Sequence, residues 1–100
     1  MDLHVRVVEV RGRCPVYQEG DSFRLLDGYR LQAEAPVCMH ALASLMPYYN
    51  ALRFAGPEEV GLAGKGDRDA LYVQCLDPCA RTGGGTVVFA VTRSPSREEG

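Results

Sequence analysis

The sequence predicts an α+β fold in which a small antiparallel or mixed β-sheet packs against one α-helix, in the order β-β-β-α-β-β. Three observations lead to this prediction: a valine-rich run near the N-terminus, an Asp-Gly dipeptide between two short apolar runs, and a single stretch with helical periodicity. We expect one domain at residues 1–92 and a flexible C-terminal tail at 93–100.

Three strands are predicted before the helix. Residues 3–11 contain four valines and predict a strand that is buried on much of both faces. Residues 22–26 and 29–32 flank Asp27-Gly28, which a type I′ turn prefers because both of its central residues need a positive φ. These two runs are therefore predicted to form a β-hairpin.

The helix is predicted at residues 37–54, where apolar residues recur at spacings of three and four. The resulting stripe consists of Leu42, Leu45, Met46, Tyr49 and Leu52. Pro47 lies inside this stretch and lacks a backbone donor, so we expect either one kinked helix or two short helices broken at Met46. Residues 71–75 and 86–92 predict the last two strands.

Composition limits the classes of partner. The net charge of -2 argues against nucleic acid, because phosphate backbones are bound by clustered Lys and Arg. The sequence contains neither a run of about 20 apolar residues nor the apolar core of a signal peptide, so we expect a cytoplasmic protein without a membrane segment. In the cytosol, cysteines are kept reduced and serve as metal ligands or reactive thiols more often than as disulfides.

Four cysteines are the main candidates for a site. Three of them lie where the chain is expected to turn, at Cys14-Pro15, at Cys38 before the helix and at Cys75 after a strand, with Cys79 four residues later. A closed zinc site needs four ligands, and Cys14, Cys38 and Cys75 with either Cys79 or His40 supply that number. The leading prediction is a small metal-binding protein that holds zinc or iron in a structural or accessory role.

Two other functions remain open. At the start of a helix, the Cys38 thiol suits a nucleophile or redox group, with His40 as its base, in an enzyme or small-molecule-binding protein whose cleft lies beside Tyr48. Two residues span about 200° of a helix, so Cys38 and His40 diverge unless Cys38 is the non-helical cap. The third function is an interaction subunit whose cysteines only pack as small hydrophobic residues.

The combination of motifs resembles a small uncharacterised prokaryotic family of about 100 residues. The shared pattern is Gly-x-Cys-Pro, Gly-Asp, a cysteine before the helix, Pro-Tyr, Ala-Leu-Arg, Cys-x-Asp-Pro and Val-Val-Phe. Here these motifs are Gly12-Arg13-Cys14-Pro15, Gly20-Asp21, Cys38, Pro47-Tyr48, Ala51-Leu52-Arg53, Cys75-Leu76-Asp77-Pro78 and Val87-Val88-Phe89. The resemblance implies that Cys14, Cys38 and Cys75 are the family's cysteines and that Cys79 is particular to this chain. It names no activity.

Two expectations concern how parts of the molecule come together. Valine-rich strands and Tyr48-Tyr49 supply more apolar surface than one helix covers, which predicts a homodimer. We also expect Cys14, Cys38 and Cys75 to share one site, provided that the strands before Cys14 and Cys75 run in the same direction. If those strands are antiparallel neighbours, their C-terminal ends lie at opposite edges of the sheet.

Overall fold

A computed structural model describes residues 1–95, and it confirms the α+β fold with one main helix. The elements are β1 Asp2–Gly12, β2 Ser22–Leu26, β3 Arg30–Gln32, α1 Met39–Phe54, α2 Pro57–Val60, β4 Leu71–Gln74, α3 Cys79–Thr82 and β5 Gly85–Ser94. Within these residues, no helix is long and apolar enough to cross a bilayer.

The sheet has the strand order β3-β2-β1-β5-β4, and every pair of neighbours is antiparallel. The long strands β1 and β5 form the centre, with Val5 opposite Val91 and Val7 opposite Phe89. Because β1 and β4 are both antiparallel to β5, they run in the same direction on either side of it. Their C-terminal ends therefore lie at the same edge of the sheet.

The core lies between α1 and one face of the sheet. Alternate residues of β1, namely Leu3, Val5 and Val7, are buried, whereas Arg6 between them is exposed. The prediction that β1 is buried on much of both faces is therefore wrong, because on the other face Arg6 is exposed and His4 is only half-buried. A register shift after Val7 then returns Val10 to the core side, where it is half-buried.

The hairpin turn has the backbone that its sequence requires. Asp27 and Gly28 have φ angles of 58° and 82°, and the N–H of Tyr29 donates to the carbonyl of Leu26 over 3.1 Å. Both central residues thus adopt the left-handed conformation of a type I′ turn. The β2–β3 hairpin is confirmed at the predicted place.

Helix α1 starts two residues later than predicted and continues through Pro47 without a break. Its buried residues are Ala41, Leu45 and Leu52, while the side chain of Met46 is 51% exposed. The assignment of Met46 to the apolar stripe was therefore wrong. It follows Leu45 by about 100° around the helix, which moves its side chain out of the buried core to a pocket beside Leu25 and Leu31 of the hairpin.

The connections contain more structure than the sequence indicated. Residues 57–60 form the short helix α2, and Ala63 makes an isolated bridge to Leu71 of β4. Residues 93–94, which we placed in the tail, belong to β5, where Arg93 lies opposite Leu3. The Arg93 guanidinium donates to the carbonyls of Leu52 and Ala55 and so ties β5 to the end of α1. The rest of the predicted tail, residues 96–100, lies outside the described residues.

Candidate thiol site

The loop after β1 positions Cys14. The chain leaves β1 at Gly12, where φ is +72° and the Arg13 N–H donates to the carbonyl of Gly84 over 3.1 Å. The Cys14 sulfur, which is half-buried, then accepts N–H hydrogen bonds from Val16 and Tyr17 at 3.4 and 3.3 Å. Two backbone donors directed at one sulfur are an arrangement that suits a sulfur bearing negative charge, as a metal-bound thiolate does.

Cys38 is the N-cap of α1, with an extended backbone at φ −74° and ψ 132° and without a hydrogen bond from its side chain to the helix. It is half-buried and packs against the core. The first turn of α1 contains no acidic residue, so the positive end of the helix dipole is not offset there. Cys38 is thus the non-helical cap, which was the condition for its side chain and that of His40 to approach each other.

Tyr17 connects these two cysteines. Its N–H donates to the Cys14 sulfur, and its hydroxyl accepts the N–H of Cys38 over 3.0 Å. Burial raises the pKa of the Tyr17 hydroxyl above 10.0, the Cys38 N–H opposes this, and the nearby Cys38 and Cys14 thiols add to the increase. The phenol is therefore protonated at neutral pH and lies close to both thiols.

Cys75 lies deeper than the other thiols. It follows β4 and is 8% exposed, and its sulfur accepts the Val87 N–H at 3.3 Å and donates to the Gly85 carbonyl at 3.6 Å. Gly85 itself packs on the backbone of the Cys14 segment, since a Cβ added there would lie 2.6 Å from the Cys14 nitrogen. Gly85 thus lies next to both the Cys75 sulfur and the backbone of Cys14.

Cys79 begins the four-residue helix α3 and is half-buried. Its Cβ would lie 3.3 Å from a Cβ added at Gly12, and its N–H donates to the Thr86 hydroxyl over 3.3 Å. Cys79 is therefore near the end of β1 as well. His40, the other candidate for a fourth ligand, is exposed in the first turn of α1.

The condition on strand direction is met: Cys14 and Cys75 follow strands that end at the same edge of the sheet, and Cys79 lies beside Gly12 at that edge. Within residues 1–95, however, no three His, Cys, Asp or Glu side chains already form a group that could hold a metal ion. The zinc or iron site thus stays a prediction.

The structure has a cleft beside Tyr48, but it lies along a part of α1 that does not include Cys38. A cavity of about 590 Å³ separates α1 from the edge strand β4 and is lined by Tyr48, Tyr72 and Gln74 among others. Neither Cys38 nor His40 belongs to its lining among the residues described. A reactive Cys38 would consequently act outside this cavity.

Sequence reasoning missed Tyr17. It is 7% exposed, and its ring packs edge-on against Phe89 with 5.5 Å between ring centroids. The available signal was an aromatic residue three positions after Cys14, in the connection between the first two strands. No family model, curated protein or solved structure matches this chain in comparisons with known proteins.

Proposed function

We propose that this protein binds a thiophilic metal ion, zinc or ferrous iron, through Cys14, Cys38 and Cys75. The observation that carries the proposal is the Cys14 sulfur, which accepts the backbone N–H groups of Val16 and Tyr17. Hydrogen bonds to ligand sulfurs hold them in place and offset their charge, and proteins use them to tune zinc and iron–sulfur sites.

Convergence of the three cysteines from different parts of the chain supports the same proposal. Cys14 follows β1, Cys38 begins α1 and Cys75 follows β4, and all three belong to the core cluster or pack against it. A metal that joins them would fix the sheet to the helix. Such a site would act structurally or as an accessory centre.

Binding requires local rearrangement. On ionisation, the Cys75 sulfur loses the ability to donate to the Gly85 carbonyl, but it keeps the Val87 N–H as a donor. The Cys38 side chain makes no capping hydrogen bond, so a rotation toward Cys14 would break none. The fourth position falls to Cys79, to His40 or to water.

Cobalt substitution tests the proposal on the intact chain. Anaerobic Co²⁺ titration is expected to give thiolate-to-cobalt charge-transfer bands and one bound ion per chain by native mass spectrometry. Cys14→Ser and Cys38→Ser should each weaken binding by more than the roughly 10–100-fold that loss of an outer-shell group costs. Equal affinity in wild-type protein and in these two variants would overturn the proposal.

Further variants identify the fourth ligand. Cys79→Ser or His40→Ala should change the cobalt spectrum, and the one that does so supplies the remaining donor. His4→Gln is the matched control, because His4 lies in β1 and packs away from α1. Circular dichroism on each variant separates loss of ligation from loss of folding.

A second candidate function is a reactive thiol at Cys38. The specific observation is that Cys38 is a half-buried N-cap of a 16-residue helix whose first turn lacks acidic residues. Iodoacetamide at neutral pH should then modify Cys38 faster than Cys79, and His40→Ala should slow that reaction if His40 serves as its base. Equal rates at the two cysteines would remove this candidate.

We also propose that the chain forms a homodimer. Met46, Tyr48 and Leu76 are 51%, 38% and 62% exposed, and the last two line the cavity between α1 and β4. Contact between copies would bury these side chains. Light scattering should give twice the 10.9 kDa chain mass, and Leu76→Glu should lower it toward one chain. A concentration-independent 10.9 kDa species in the wild-type protein would contradict the dimer.

A further inference from the structure

The sheet face opposite α1 carries a cluster of basic side chains. His4 and Arg24 are direct partners on the neighbouring strands β1 and β2, and Arg6 follows His4 by two residues along β1. Directly opposed residues of an antiparallel pair, and residues two apart on one strand, project from the same face. Since Leu3, Val5 and Val7 face α1, this cluster faces outward.

The cluster lies apart from the ion pairs that the described residues form. Among residues 1–95, neither Arg6 nor Arg24 belongs to an ion pair, although the chain as a whole has a net charge of -2. Other arginines do have acidic partners, in the pairs Arg11–Glu9, Arg30–Asp27 and Arg68–Glu58. The Asp2 carboxylate, two residues before His4, instead accepts the N–H of Asp27 over 2.9 Å.

Arg6 and Arg24 are diagonal neighbours on this face, so their like charges repel each other. Burial lowers the pKa of His4 below 6.5, and the positive charges of Arg24 and Arg6 lower it further. The other neighbours from the adjacent strands are uncharged: Thr92 and Ala90 on β5, Ser22 on β2 and Gln32 on β3. The face thus combines two guanidinium groups, an imidazole and polar side chains with the carboxylate of Asp2, which accepts the Asp27 N–H.

We propose that His4, Arg6 and Arg24 bind a phosphoryl group on this open face of the sheet. A phosphate monoester carries nearly two negative charges and several acceptor oxygens, and the planar guanidinium group matches these oxygens with paired N–H donors. Arg6 and Arg24 supply two such groups, and the His4 imidazole lies between them as a further donor. Thr92, directly across from His4, adds a hydroxyl at the same place.

The cluster fits a small phosphorylated molecule better than a nucleic acid. It covers three residues on two strands, which is the footprint of one phosphoryl group rather than of a backbone that carries many. The chain's overall negative charge also repels a long polyanion. This proposal involves the opposite face of the sheet from the thiols and does not depend on metal binding.

The test follows the His4 imidazole by NMR in inorganic phosphate and in chloride at equal ionic strength. Bound phosphate is expected to raise the pKa of His4 from its lowered value to 6.5 or above. Arg6→Gln and Arg24→Gln should each lower the affinity for phosphate by about tenfold or more. Arg24→Lys should lower it less than Arg24→Gln does. Arg68→Gln, which removes an arginine paired with Glu58, is the matched control and should respond as the wild type does.

Identical His4 titrations in phosphate and in chloride would overturn the proposal, as would a phosphate response that Arg6→Gln and Arg24→Gln both keep. An oligothymidylate provides the second arm. If it binds far more tightly than phosphate and its binding weakens steeply with salt, the phosphoryl groups come from nucleic acid, and the assignment to a small phosphorylated molecule is wrong.

Discussion

The N–H of Cys38 donates to the hydroxyl of Tyr17 over 3.0 Å, and this bond joins the start of α1 to the loop that follows β1. The same tyrosine donates its own N–H to the sulfur of Cys14. Tyr17 therefore links the Cys14 sulfur to the backbone of Cys38 through its own backbone and its hydroxyl.

Replacing Tyr17 with phenylalanine isolates that hydroxyl. Tyr17→Phe keeps the ring against Phe89 but removes the acceptor of the Cys38 N–H, so unfolding in urea should become easier by about 0.5–1.5 kcal/mol. Tyr29→Phe is the matched control, since Tyr29 is 81% exposed, and it should leave stability unchanged. Equal stabilities of the two variants would mean that the hydrogen bond to the Tyr17 hydroxyl does not contribute to the free energy of unfolding.

Gly85 allows the Cys14 segment to approach β5. A Cβ at this position would lie 2.6 Å from both the Cys14 nitrogen and the Arg13 carbonyl carbon, and these are backbone atoms that cannot rotate away. Gly85→Ala is therefore expected to cost about 1–3 kcal/mol of stability and to weaken Co²⁺ binding by moving Cys14 from Cys75. Gly66→Ala, where nothing lies within 4 Å, should change neither property. A Gly85→Ala protein with wild-type stability and cobalt affinity would contradict this account.

The sulfur of Cys75 takes the place of a carbonyl at the end of β4. It accepts the N–H of Val87 in the buried core, so Cys75→Ala leaves that N–H without a partner and should cost about 1–3 kcal/mol in chemical denaturation. Cys75→Ser retains an acceptor and is expected to be the milder change. If serine is as destabilising as alanine, the loss comes from packing and not from the hydrogen bond.

Local signals in the sequence were enough for the elements whose geometry is local. Asp27-Gly28 specifies its own turn because both residues accept a positive φ, and the periodicity of residues 37–54 specifies one helix. Periodicity alone could not locate the buried side of that helix. Met46 fits the spacing but is 51% exposed, whereas Ala41, which the predicted stripe left out, is fully buried.

Features that depend on contacts between distant parts of the chain could not be predicted from the sequence. Whether the ends of β1 and β4 coincide depends on β5, which pairs between them although it comes last in the chain. The role of Tyr17 depends on a contact with Cys38 across 21 residues, and no spacing rule reports such a contact. The basic cluster likewise requires the register that places His4 opposite Arg24.

Acid should weaken the fold through His4. Because burial, Arg24 and Arg6 lower its pKa below 6.5, the folded protein binds fewer protons at this residue than the unfolded chain does. Its contribution to stability is fully present above pH 6.5 and is lost as the pH falls through the lowered pKa.

Urea unfolding at several pH values in chloride buffer should show this loss, and His4→Gln should reduce the pH dependence over that range. Arg24→Gln should do so in part, since it raises the pKa of His4 toward that of the unfolded chain. If His4→Gln keeps the full pH dependence of the wild-type stability, other groups cause the loss. If the pKa of His4 is unchanged in Arg24→Gln, the arginine does not act on the imidazole.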